Sequence, residues 1–194
     1  RRVWRALIDT GGGKAEGAII SRTEETYEFI RRNQGRGVQL FGCKGSSRAM
    51  PTKIKIGQPI EKTPSGKPIP GGIRIIQVNT HVLKDALWWR VEKTATGEPG
   101  SWYLHNSTPD YFFRHITAEE KRRIKNGAIE WHATSKDNHL LDCEVYILAA
   151  VDPEFWGGIR PLLVNQRRTA NQPAQQKQQS EPAQQSNPIL SRRL

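Results

Sequence analysis

The chain has 194 residues, of which 36% are hydrophobic and six are tryptophan, so it can form one sizeable core but not two ordinary domains and a tail. Thirty lysine and arginine residues against 19 acidic ones give a formal net charge of +11, which favours DNA or RNA as the partner. No apolar run approaches the roughly 20 residues of a membrane span, and the two cysteines, Cys43 and Cys143, predict neither a disulfide framework nor a cysteine-based zinc site.

The first part of the chain predicts a strand, a helix and a second strand. An apolar run ends at Asp9 and gives way to glycines, which break a strand, so an acid stands at a strand's carboxyl end. Ser21 and Glu24 have the spacing of a capping box, and the helix that they open stops at Gly35. A second strand follows over residues 38–43.

The middle of the chain predicts a basic excursion, a strand and a helix. Residues 44–72 are rich in glycine, proline, serine and lysine, and their alternating KIKI sequence and TPSGKP turn are typical of a hairpin at a sheet edge. Residues 73–78 predict a third strand, after which apolar residues recur at helical spacing from Leu83 to Val91. Strands that alternate with helices imply an α/β architecture with parallel strand pairs.

The last part of the chain predicts a polar helix, a strand, a buried helix and a tail. The polar helix covers residues 117–127 and the strand 129–134, and the final helix, which begins at Asn138, is apolar almost all round and should be buried. From residue 166 glutamine and proline interleave, and such a segment cannot bury enough apolar surface to offset its ordering entropy. We therefore expect one domain over residues 1–165 and a disordered tail over 166–194, whose end could dock as a short peptide.

Two aspartates are candidates for chemistry. Asp142 lies four residues into the final helix, on the face that packs against the core, and a buried carboxylate needs a cation or a hydrogen-bond donor. It is either an acid stabilised by the helix dipole or a metal ligand facing the carboxyl end of a neighbouring strand, where Asp9 lies. Asp9 has its own alternative, because its side chain could simply cap the turn before the glycines. Paired carboxylates suit hard ions such as Mg²⁺, and paired ions can activate water for phosphodiester cleavage.

A set of basic and hydroxyl side chains could follow a DNA backbone without reading its bases. They are Lys44, Ser46, Ser47, Arg48, Lys53, Lys55 and Lys84. All but the last follow the second strand or lie in the basic excursion, where lysine equally keeps an exposed sheet edge soluble. Both interpretations remain open on the sequence.

Several segments, taken in order, resemble a known family. ALIDTGGG, GVQLFGCKGSS, VNTHVLKDALWWR and NHLLDCEVYILAA together look like the nuclease domain of the phage lambda-type terminase large subunit, over most of residues 1–151. That family cuts concatemeric viral DNA and drives it into an empty capsid, using an ATPase domain followed by a nuclease domain that resembles ribonuclease H and RuvC resolvases. The resemblance implies that Asp9 is the acid ending the fourth strand of that fold and that Asp142 is the acid of its closing helix.

The resemblance also implies the fold, the cofactors and the partners. The fold would be α/β and ribonuclease H-like, a mixed sheet flanked by helices without its first strands, and the activity would be that of a two-metal DNA endonuclease using Mg²⁺ or Mn²⁺. We expect the first catalytic aspartate, and the ATPase domain that binds ATP, to lie upstream of Arg1, so that this fragment alone is inactive. Double-stranded DNA, the small terminase subunit and the capsid portal would be its partners in the host cell cytoplasm, with no membrane.

The resemblance makes Asp85 a weaker catalytic candidate. Relatives tend to have an acid after the lysine where Lys84 and Asp85 stand, yet helical geometry turns Asp85 away from the apolar stripe, as expected of a solvated first-turn acid. Relatives also often carry an acid at the position of His81, so the role of that position is open. Two other functions compete with the packaging nuclease: a non-catalytic basic module that binds nucleic acid, and a RuvC-like resolvase.

Overall fold

The computed structural model describes residues 3–13, 18–46, 50–125 and 127–164. Two of the predicted DNA contacts, Ser47 and Arg48, lie outside these residues, as does the tail predicted from residue 166. The chain divides into two compact units, residues 1–159 and 160–194. In the second unit the structure describes a helical turn over residues 160–164.

Four strands of the first unit form the main sheet, and their pairing is mixed. They are β1 (Arg5–Asp9), β2 (Gln39–Gly45), β3 (Ile54–Lys62) and β4 (Pro68–Val78). The order across the sheet is β1-β2-β4-β3, with β2 parallel to both β1 and β4, and β3 antiparallel to β4 at one edge. The predicted parallel pairing and the predicted edge hairpin are therefore confirmed, and the hairpin is an integral part of the sheet.

Four helices of the first unit flank the strands. They are α1 (Arg22–Asn33), α2 (Thr80–Thr96), α3 (Asp110–Ile116) and α4 (His139–Val151). α1 opens with the predicted capping box, since the Ser21 hydroxyl accepts the Glu24 amide and the Glu24 carboxylate accepts the Ser21 amide. The mixed α/β class is confirmed, although the sequence pattern did not predict α3. None of the described helices is long and apolar enough to cross a membrane.

Side chains alternate along β4 between the two faces of the main sheet. On one face, Ile73 and Ile75 pack with Ile30 of α1. On the other face, Ile76 and Val78 lie in a core that includes residues of α2 and α4. We call these the α1 face and the α4 face of the sheet, and the two candidate sites below lie on different faces.

Gly42 of β2 lets α1 approach the sheet closely. A Cβ at this position would lie 2.6 Å from Thr10 Cγ2 and 3.2 Å from Ile30 Cδ1, and it would also overlap the side chain of Ile75. Only glycine leaves these atoms room without a shift of the helix or of the neighbouring side chains. The residue therefore sets how close α1 lies to β1 and β2.

The prediction of a polar helix over residues 117–127 is wrong, because the described part of this segment contains the first strand of a hairpin. β5 (Glu119–Arg123) pairs antiparallel with β6 (Ile129–Ala133) to form a separate two-stranded sheet. The charged segment has no apolar stripe at helical spacing, and the hairpin places Trp131 of β6 in a stack on Trp88 of α2, with ring centroids 6.0 Å apart. The predicted last strand is confirmed, but it lies outside the main sheet.

α4 is buried on one face only, although its composition predicted burial all round. Leu141, Val145 and Ala149 are completely buried, whereas Ile147 is 54% exposed. α4 packs beside β1, which forms one edge of the main sheet, and the described residues place no further strand beyond β1. In the described part of the chain, the outer side of α4 is therefore exposed.

Candidate functional site

A cavity of about 490 Å³ lies between β1 and α4, at the edge of the main sheet. Asp9 lines it from the end of the strand and Asp142 lines it from the helix. The other lining residues are Arg5, Ala6, Leu7, His139, Cys143, Tyr146, Ile147 and Ala150. The structure thus brings the two candidate carboxylates, which are far apart in the sequence, to one cavity. We call it the carboxylate cavity.

Asp9 reaches this cavity because side chains alternate along β1. Leu7 packs on the α4 face, so Asp9, two residues later, points to the same face. Its Oδ1 accepts the Gly11 amide at 2.7 Å, the turn-capping bond that the sequence left as an alternative. This bond orients the carboxylate, while Oδ2 has no hydrogen-bond or ion-pair partner among the described residues. Turn capping and ion binding are therefore compatible roles for this side chain.

Asp142 lies in the first turn of α4, with its side chain 35% exposed. Burial raises the pKa of its carboxyl group. The Lys84 ammonium, 3.6 Å away, acts in the opposite direction, and the carboxylates of Glu119 and Asp9 raise the pKa further. The fold therefore stabilises the ionised form of Asp142 less than water does, and an added cation nearby would stabilise it.

Lys84 is a buried cation shared by two acids. Its ammonium lies 2.6 Å from Glu119 Oε2 and 3.6 Å from Asp142 Oδ1, and the Asn138 amide donates to Glu119 Oε1 at 2.8 Å. The structure thus gives Lys84 a role other than the predicted DNA contact, because a side chain only 9% exposed cannot reach a phosphate without leaving these partners. The sequence pattern does not indicate this role of Glu119, because the helix predicted over residues 117–127 would place the residue in a solvated first turn.

Asp85 anchors the β5–β6 hairpin. Its Oδ1 accepts the Trp131 Nε1 hydrogen at 2.8 Å and lies 2.9 Å from Lys121 Nζ. Asp85 is not among the residues that line the carboxylate cavity. These bonds give the acid a structural role, and its catalytic role stays a prediction. His81, whose role the sequence left open, is exposed in the first turn of α2.

The walls of the carboxylate cavity carry little positive charge. Cys143 and Tyr146 line it, and burial raises the pKa of both groups, so both are neutral at neutral pH. Arg5 also lines it, but its Nη1 donates to the carbonyl oxygens of Ala150 and Phe155 at 2.8 and 3.1 Å. The cavity therefore holds two carboxylates near neutral groups and a guanidinium that is already hydrogen bonded.

The predicted DNA contacts lie in different places. Lys44 and Lys55 line a second cavity, on the α1 face of the sheet. Lys53 pairs with Asp152, with 3.0 Å between Nζ and Oδ2, and the Ser46 amide donates to a β4 carbonyl at 2.8 Å. Among the predicted DNA contacts that the structure describes, Lys44 and Lys55 therefore lie together in one cavity.

Comparison with known proteins identifies a related family. A family model described as terminase large subunit gpA, endonuclease domain, matches residues 2–156 of the chain. The match includes both sheets, all four named helices and both carboxylates of the cavity. No curated protein and no solved structure matches the chain.

Proposed function

This chain belongs to the endonuclease-domain family of the terminase large subunit gpA, and we propose that Asp9 and Asp142 bind a divalent cation at which it cleaves double-stranded DNA in the host cytoplasm. The family supports a nuclease role in viral DNA packaging. The observation that carries the metal assignment is the cavity that the two aspartates share.

The two carboxylates suit one hydrated Mg²⁺ or Mn²⁺ ion. Hard divalent cations prefer oxygen ligands, and Mg²⁺ commonly binds through one or two carboxylates while it keeps several waters. Across residues 3–13, 18–46, 50–125 and 127–164, no group of three or more histidine, cysteine, aspartate or glutamate side chains is placed to hold a metal ion. Asp9 and Asp142 are therefore the two carboxylates proposed for one ion, and a second ion needs a further acidic ligand.

A bound cation would offset the local excess of negative charge. Among the described residues, Lys84 is the cation that pairs with Asp142, but it lies nearer to Glu119, at 2.6 Å against 3.6 Å. The Gly11 amide and the Lys84 ammonium hold the two aspartates in position before any ion arrives. When bound, a divalent ion stabilises the charge that develops on phosphate oxygens during hydrolysis.

We extend the proposal to the two-ion, ribonuclease H-like site that the sequence resemblance implies. β1 is an edge strand of the main sheet, and none of its five residues is buried despite the apolar sequence ALI. An edge strand can accept another strand, and a strand paired beside β1 could carry the third carboxylate that the family resemblance implies. Without that carboxylate we expect the chain to bind a single ion weakly and not to cleave DNA.

The melting temperature of the full chain, with and without Mg²⁺ or Mn²⁺, tests the metal assignment. An ion that binds only the folded state raises the melting temperature, and Asp9→Asn and Asp142→Asn should each remove the rise. Asp110→Asn is the matched control, because Asp110 is an exposed aspartate in the first turn of α3 and should leave the rise unchanged. An undiminished rise in both cavity variants would reject the assignment and favour a non-catalytic module that binds nucleic acid.

A further inference from the structure

A second cavity, of about 720 Å³, lies on the α1 face of the main sheet, whereas Asp9 points to the α4 face. We call it the α1-face groove. Its floor is formed by the carboxyl-terminal part of β2 and β4 and by β3, and its walls by the first turns of α1 and by the turn of the β3–β4 hairpin. The polar lining residues used below are Lys44, Lys55, Gln77, Gln58, Tyr27 and Thr23.

Three side chains form a row across the floor of the groove. Gln77 of β4 pairs with Lys44 of β2 on one side and with Lys55 of β3 on the other. Neighbouring strands lie roughly 4.8 Å apart, so the two lysine Cα atoms are separated by roughly 10 Å with the glutamine between them. Because lysine side chains are long, both ammonium groups can reach the same phosphate group or two successive ones.

The polar row lies where the α1 face would otherwise continue as apolar core. Ile73 and Ile75 of β4 pack with Ile30 of α1, and the next residue of β4 on this face is Gln77. Lysine on an edge strand can be explained by solubility, and this explanation fits Lys55 of β3. β2 is an interior strand, and Lys44 lies one residue beyond its last pair with β1, that of Cys43 with Asp9. Lys44 is exposed in the groove, where an anionic ligand would complement its charge.

The groove offers unused hydrogen-bonding capacity and no acid. In the described part of the chain, the side chains of Lys44, Lys55, Gln58, Gln77 and Tyr27 make no hydrogen bond or ion pair. No aspartate or glutamate is among the lining residues. Two cations, two amides and a phenol that lack protein partners match an anionic ligand with several oxygen atoms.

One wall of the groove is fixed by contacts between α1 and the hairpin turn. Glu24 Oε1 accepts the Ser65 amide at 3.2 Å and also the Ser65 hydroxyl. These hydrogen bonds, with that from the Ser21 amide, lower the pKa of Glu24 to about 2, so it stays ionised and holds the turn. Thr23, the preceding residue of α1, lines the groove and donates its hydroxyl hydrogen to backbone carbonyls. The groove is therefore formed before any ligand binds.

We propose that the α1-face groove binds the phosphate groups of a nucleic acid strand, with Lys44 and Lys55 as the phosphate contacts. Asp9 and Thr10 are consecutive at the end of β1, and they line the carboxylate cavity and the α1-face groove respectively. A strand that leaves the carboxylate cavity across the carboxyl ends of β1 and β2 would thus reach Lys44. The path of the strand rests on the proposed nuclease function, but phosphate binding by the lysines requires no metal.

Binding of a short oligothymidylate to the full chain, measured against salt concentration without divalent cations, tests the groove. Each phosphate contact on a single strand contributes about 0.7 to the magnitude of the slope of log affinity against log salt. Replacing two contacts, by Lys44→Gln with Lys55→Gln, should therefore reduce that magnitude by about 1.4. Lys62→Gln with Lys67→Gln is the matched control, because these lysines belong to the same hairpin, are exposed and do not line the groove. The control should keep the slope of the unchanged chain.

Three results would overturn the proposal. The first is an unchanged salt slope in the groove variant, and the second is an equal fall of the slope in the control variant. The third is competition by inorganic phosphate or thymidine monophosphate with the same affinity as the oligonucleotide, which would indicate a site for a small anion. Asp9→Asn separates this proposal from the nuclease proposal. It should remove the metal-dependent rise in melting temperature and keep the metal-free salt slope, so that either proposal can fail alone.

Discussion

Lys84→Met removes the cation that Glu119 and Asp142 share, and it should lower the free energy of unfolding by about 3–5 kcal/mol, the range for removing one partner of a buried ion pair. Methionine retains much of the aliphatic stem, so the change acts chiefly on charge. In the variant the Glu119 carboxylate, 6% exposed, keeps the Asn138 bond at 2.8 Å but loses its ammonium partner at 2.6 Å. The nearby Asp142 carboxylate adds repulsion, which places the loss in the upper part of the range.

Urea denaturation at neutral pH, with chelator present, measures this loss. Lys93→Met is the control on the same helix, because the Lys93 and Glu98 side chains are 30% and 47% exposed and a surface pair contributes about 0–1 kcal/mol. Adding Glu119→Gln to Lys84→Met should recover much of the loss, since an amide carries no charge to compensate. A loss no larger than that of the control, or a double variant less stable than Lys84→Met alone, would refute the shared-cation interpretation.

Three further substitutions test other parts of the structure. Asp142→Asn should raise the melting temperature at neutral pH without metal, because the pKa of Asp142 is raised in the folded state. This gain should disappear as the pH falls through the raised pKa towards the ordinary value of 3.8, because the native carboxyl group then becomes neutral as well. Gly42→Ala should lower the free energy of unfolding by about 1–3 kcal/mol in chemical denaturation because its methyl group meets Thr10, whereas Gly13→Ala, with open space around a Cβ, should change it little. Asp85→Asn should speed amide exchange in the β5–β6 hairpin and keep the metal-dependent rise in melting temperature; loss of that rise would place Asp85 in the metal site.

The elements that the sequence predicted correctly are specified by neighbouring residues. The capping box of α1 needs only Ser21 and Glu24, and both groups are satisfied within one turn. The strand ending at Asp9 is an apolar run stopped by glycines, and the β3–β4 hairpin follows from a turn sequence between alternating residues. Such signals act locally, so the sequence alone predicts them.

The β5–β6 hairpin depends on contacts between distant residues, which explains why its first strand was predicted as a helix. A run of charged residues between Thr117 and Gly127 is equally compatible with a solvated helix. The strand is favoured because Glu119 pairs with Lys84 of α2, and because Trp131 of the partner strand stacks on Trp88. None of these partners can be identified from the charged segment itself.

The candidate site was predictable in part. An acid at a strand end and an acid in the closing helix predict a shared metal site, the family resemblance implies the same pair, and the structure places Asp9 and Asp142 in one cavity. The role of Lys84 was not predictable, because an exposed lysine and a buried one have the same local sequence and only the approach of Glu119 and Asp142 distinguishes them. The groove residues Gln77 and Tyr27 gave no sequence signal, since their significance comes from the register of three strands.

Titration of the full chain with substoichiometric Mn²⁺, followed by NMR, measures directly whether Asp9 and Asp142 share an ion. A paramagnetic ion broadens the signals of nearby nuclei. The amide of Gly11, which bonds Asp9, and the amide of Cys143, which follows Asp142, should therefore broaden first. Asp9→Asn and Asp142→Asn should each abolish the effect. Broadening centred on Asp85, or persisting unchanged in both variants, would contradict the metal site.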